Sequence, residues 1–105
     1  MTEIVVDAGI CGFRTKIKVN SISKKKVSVT IVSDCEMVTM AGNRLKEVDW
    51  REIFRPEGCL ALLSSALMCI KHPSCPVMTG VFKAIEVETG MALPKDVSIR
   101  FVQGD

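Results

Sequence analysis

Phe13-Arg14-Thr15-Lys16-Ile17-Lys18-Val19, then Val27-Ser28-Val29-Thr30-Ile31, then Ser33-Asp34-Cys35-Glu36: this stretch decides the fold. In the first segment Phe13, Ile17 and Val19 fall on one face and Arg14, Lys16 and Lys18 on the other. In the second, Val27, Val29 and Ile31 alternate with Ser28 and Thr30. A period of two is the signature of a strand buried on one side only. The polar run Asn20-Ser21-Ile22-Ser23-Lys24-Lys25 reads as the hairpin between the two strands. At Ser33 the period changes. Ser-x-x-Glu has the form of a capping box, and Met37, Val38, Ala41, Leu45 and Val48 follow at helical spacing. A helix is therefore expected over about 34–47.

Upstream, Ile4-Val5-Val6-Asp7-Ala8 reads as a first strand, closed by the glycine-flanked turn Gly9-Ile10-Cys11-Gly12. Downstream, Asp49–Phe54 suggests a short extra turn carrying the only Trp. Pro56 suits the first position of a second helix, with Glu57 in its first turn. This helix, to about Lys71, is apolar on most sides and is expected to be deeply buried. Lys71, His72 and Pro73 mark its end. Cys75-Pro76 opens a third helix, with Cys75 at the N-cap, reaching about Thr89 and closed by Gly90. Val97, Ile99 and Phe101 alternate with Ser98 and Arg100 and suggest a final strand. The expected fold is α+β: a two-layer sandwich of order β-β-β-α-α-α-β, with a mainly antiparallel sheet and helices on one face.

The chain of 105 residues fits one domain, residues 1–105. Its 48% hydrophobic and 25% charged residues argue for a packed core rather than disorder. No basic start followed by an apolar run is present. The longest apolar stretch, Cys59 to Ile70, is shorter than the ~20 residues a bilayer-spanning helix needs. A cytoplasmic location without membrane partnership is expected. Five cysteines in such a chain turn attention to metal binding or thiol chemistry rather than disulfides.

Position separates the cysteines. Cys11 sits in a two-glycine turn, where backbone N–H groups can reach a metal-bound sulfur. Cys35 lies in the first turn of the capped helix, where free N–H groups and the helix dipole favour an anionic sulfur. Cys75, as an N-cap, occupies a place where Ser, Thr, Asp or Asn is the rule, and Cys-Pro ends many cluster-binding runs. Cys59 reads as a fourth ligand or as part of the second helix's apolar surface. Cys69, between Met68 and Ile70, reads as core. His72 reads as a helix-terminal residue bonding the last carbonyls, or as a ligand beside Cys75. No C-x-x-C pair occurs, so any metal site must be assembled by the fold from separate elements.

Several of these segments taken together, Gly9-Ile10-Cys11-Gly12-Phe13, Ser33-Asp34-Cys35-Glu36, Cys75-Pro76-Val77, Lys83-Ala84-Ile85-Glu86-Val87-Glu88 and Ala92-Leu93-Pro94-Lys95-Asp96-Val97, mark a resemblance. The chain resembles, over nearly its whole length, a family of small cysteine-containing proteins of unknown function from anaerobic archaea and bacteria. The resemblance transfers no activity. It implies that Cys11, Cys35 and Cys75 weigh more than Cys59 and Cys69, and an anaerobic setting suits oxygen-sensitive thiolates or clusters.

The leading expectation is a metal or iron–sulfur site built from Cys11, Cys35 and Cys75, with Cys59, His72 or an external group as fourth ligand. Soft thiolates select iron–sulfur clusters, zinc or copper(I). Three of them leave one position open to a substrate, a protein partner or cluster transfer. The first alternative uses no cofactor: a thiol redox protein or sulfur carrier working through Cys35 or Cys75. The second is a nucleic-acid or anion binding module using Arg14, Lys16, Lys18 and Arg100 with the hairpin lysines 24–26. It lacks outward aromatic residues for stacking, so nucleic acid is not an expected partner. Ordinary catalysis has little support, because no phosphate loop, dinucleotide fingerprint or Ser/His/Asp arrangement is present.

Overall fold

The computed structural model describes residues 1–104. Strands β1 (Thr2–Asp7), β2 (Arg14–Ser21) and β3 (Lys26–Ser33) form an antiparallel meander, and β4 (Glu47–Asp49) pairs with the start of β3. The sheet order is β1-β2-β3-β4. Helices α1 (Glu36–Asn43), α2 (Pro56–Leu67) and α3 (Val77–Glu88) complete an α+β fold, with a single 3-10 turn at Trp50–Phe54.

The alternation seen in the sequence sets the layer. Thr15, Ile17 and Val19 of β2 and Val27 and Val29 of β3 are buried, while Arg14 and Lys16 are exposed on the opposite face. Among the described residues, Thr15 is the one buried polar residue, and its hydroxyl donates to Ser33 Oγ at 2.9 Å, which offsets the cost of its desolvation. α3 lies across β1 and β2, and α1 lies on β3. The close approach of α3 requires Gly80: a Cβ there would stand 2.7 Å from Val6 Cγ2 and 3.2 Å from Ile17 Cδ1. α3 ends in a Schellman motif, with Gly90 at φ +78° and the N–H groups of Gly90 and Met91 donating to the carbonyls of Val87 and Glu86.

Four expectations are corrected. The first helix is shorter than 34–47, because Arg44 ends it and Glu47–Asp49 leaves as β4; Val48 continues the helical spacing but is buried from a strand. The capping box does not form either. Ser33 Oγ accepts from the Cys35 N–H, and Cys35 is itself the N-cap of α1, with no side-chain cap bond. α2 is not deeply buried. It packs on the 3-10 turn and α1 rather than on the sheet, so only Ala66 of its residues is fully enclosed and Leu60 and Leu67 are exposed. The sheet is already covered by α3 over β1 and β2 and by α1 over β3. Finally, residues 97–101 form no strand, and the sheet's fourth member is β4, so the order is β-β-β-α-β-α-α with the 3-10 turn before α2.

Candidate functional site

Three connections meet at one end of the sandwich. The first is the β1–β2 turn, closed by the Gly12 N–H donating to Gly9 O at 2.9 Å, with Gly9 at φ +94° and Gly12 at φ +75°. Positive φ at both ends makes the turn a glycine site and leaves Cys11 exposed near its tip. The second is the passage from β3 into α1. Cys35 is half-buried there, extended at φ −80° and ψ 118°, and its carbonyl accepts from the Thr39 N–H at 3.0 Å and the Thr39 hydroxyl at 3.1 Å. The third is the loop before α3, where the Cys75 N–H donates to His72 O at 3.1 Å. Pro76, not Cys75, is the N-cap of α3. The cysteine in a cap position is therefore Cys35.

Cys11, Cys35, Cys75 and His72 all line a single cleft of about 220 Å³. Buried Thr15, Val38, Ile70 and Val77 form its floor, and exposed Ile10, Cys11, His72 and Ser74 form its rim. No Asp, Glu, Lys or Arg stands among the lining residues. The lining is mostly apolar, with Thr15, His72 and Ser74 as its polar members beside the cysteines, and the polarity around a sulfur is one of the factors that tune it.

Cys59 and Cys69 are elsewhere. Cys59 is half-buried in the first turn of α2 and does not line the cleft; Cys69 is 9% exposed and belongs to the core. All five cysteines are free thiols. Among the described residues, no three His, Cys, Asp or Glu side chains are grouped tightly enough to hold a metal ion. The donor types suit a soft metal. Their arrangement around a cleft departs from the close tetrahedron of a structural zinc site, where metal–sulfur distances are about 2.3 Å. Sequence reasoning missed the buried floor, with Thr15 and Ile70 in it. The alternation of β2 carries the signal for Thr15, two residues before Ile17, but nothing in the chain linked Ile70 to this end of the fold.

Among the described residues, no helix is long and apolar enough to cross a membrane. A family model described as a family of unknown function, DUF6951, matches residues 2–101. No curated protein and no solved structure matches the chain.

Proposed function

We propose, on the premise that the chain belongs to the DUF6951 family, that the cleft binds an inorganic iron–sulfur cluster through Cys11, Cys35 and Cys75. The observation that carries this reading is the meeting of three cysteines, from three separate elements, on the walls of one cleft whose lining has no Asp, Glu, Lys or Arg. Donors set around a space, rather than drawn in on a point, suit a group with several metal atoms better than one zinc ion. His72, on the same rim, is the fourth donor within the cleft, and Cys59 drops out because it lies on another surface. The backbone N–H groups around Gly9–Gly12 are placed at this end of the fold, where hydrogen bonds to sulfur tune potential. The role that follows is to bind and present a cluster, for electron transfer or delivery, and not hydrolysis.

The test is anaerobic purification, reconstitution with iron and sulfide, and measurement of the visible spectrum with iron and sulfide content. The expected result is a coloured protein. The colour is lost in Cys11→Ser, Cys35→Ser and Cys75→Ser and kept in Cys59→Ser. Colourless, iron-free protein after reconstitution would overturn the reading.

A second reading rests on the free state of all five thiols and the exposure of Cys11. In it the same cleft works without a cofactor, as a thiol redox or sulfur-carrying site. Mild oxidation of iron-free protein would then give a disulfide among Cys11, Cys35 and Cys75, located by peptide mass mapping. Protein that stays fully reduced under those conditions removes this reading.

A further inference from the structure

Among the described residues, and apart from the outer edge of β3 past Ser28 and of β4, two segments with strand character lack a partner. β1 pairs only with β2, so its outer edge is open. The segment after α3 carries a strand pattern without a strand. Val97, Ile99 and Phe101 alternate with Ser98 and Arg100, yet Ile99 is 86% exposed and Phe101 wholly so. The family match continues to residue 101, so this alternation lies within the matched region. Three large apolar side chains at period two, standing in water, call for a partner surface.

The connection decides which one. α3 ends beside β1, since Glu88 accepts from the Thr2 hydroxyl. The tail thus starts at the amino end of its own open edge and still does not pair with it; the molecule measures 49 × 28 × 25 Å. Leu93-Pro94 accounts for the departure. Proline fixes its own φ and restricts the preceding residue to extended conformations, so the chain leaves α3 extended at this point, and exchange of an element between identical copies is a low-cost route to a dimer.

We propose that residues 95–103 add as a fifth strand to the β1 edge of a second copy, and that the exchange is reciprocal. In that place Val97, Ile99 and Phe101 extend the helix-covered face beside Ile4 and Val6, which are only half-buried in the single chain. Ser98 and Arg100 fall on the open face with Glu3, an exposed acid of β1. Reciprocal exchange satisfies both open elements in a closed two-fold dimer and leaves no edge of β1 free to recruit further strands.

The experiment uses the full chain: light scattering after size exclusion, with hydrogen exchange mapped by peptide. The expected mass is twice that of one chain, with amide protection over 97–102 and along β1. The double variant Ile99→Arg/Phe101→Arg is expected at half that mass, with circular dichroism unchanged and both protections lost. Excess synthetic peptide 95–104 should also halve the mass, which keeps the test readable if the variant fails to fold. A wild-type chain that is monomeric, with or without a protected tail, overturns the proposal. So does a dimer that survives both the variant and the peptide.

Discussion

The Glu88 carboxylate accepts a 2.8 Å hydrogen bond from the Thr2 hydroxyl, joining the last turn of α3 to the first residue of β1 across 86 positions of chain. Glu88 also accepts from the backbone N–H and the hydroxyl of Ser21, at 3.1 and 3.3 Å. One carboxylate thereby pins α3 to the adjacent ends of β1 and β2, the pair of strands on which that helix rests.

This clamp predicts an acid-sensitive term in stability. The Thr2 hydroxyl, helped by the Ser21 N–H, holds the Glu88 carboxyl below its ordinary value, against the desolvation that pushes it up. A depressed folded-state value gives stability that is present above the ordinary carboxyl range and is lost as pH falls through the folded value. Glu88→Gln should cost on the order of 1 kcal/mol at neutral pH. The gap from wild type, read from urea midpoints across a pH series, should close on acidification.

Gly58 predicts a backbone clash. A Cβ there would overlap the carbonyl of Glu52, in the 3-10 turn, and a carbonyl cannot rotate away as a long side chain can. Gly58→Ala should destabilise by roughly 1–3 kcal/mol through overpacking, despite the better helix propensity of Ala. The measurement is chemical denaturation, with Trp50 fluorescence as the local probe. Trp50 donates its indole N–H to Lys24 O at 3.0 Å and packs edge-to-face with Phe54, so it reports on this corner.

Cys35 predicts an opposition between stability and function. It has an N-cap backbone but makes no cap bond. Cys35→Asp supplies the missing acceptor and should stabilise the fold by about 0.5–1 kcal/mol, while abolishing cluster assembly. A raised melting temperature together with lost colour is the expected pair of readings.

The two cysteines outside the cleft should separate cleanly. Cys69→Ser places a hydroxyl in the core and should cost roughly 1–3 kcal/mol, with colour retained per folded molecule. Cys59→Ser, half-buried on α2, should leave the reconstituted spectrum unchanged. Thermal melts beside iron content check both.

β2 and β3 were legible from their alternation, because a half-buried strand writes its orientation into alternate positions; the exception is Phe13, which was expected inside with Ile17 and Val19 but precedes β2 and is exposed. The placement of Cys11 at a turn and Cys35 and Cys75 near helix starts was legible as well, since glycines, proline and changes of period mark those places. β4 was not. Three residues carry too little pattern, and Val48 fits a helix spacing equally well. The surface position of α2 was hidden by its own composition, since an apolar helix reads as buried whether or not sheet lies beneath it.

By itself, then, the sequence determined the class of fold, the sheet's inner face and the elements on which the cysteines sit, because these follow from local periodicity and turn chemistry. Only the tertiary structure decided that Cys11, Cys35, Cys75 and His72 share one cleft, that Cys59 faces elsewhere, and that the alternating tail at 97–101 leaves the sheet. Those outcomes depend on which elements lie side by side in space, and period along the chain carries no record of that.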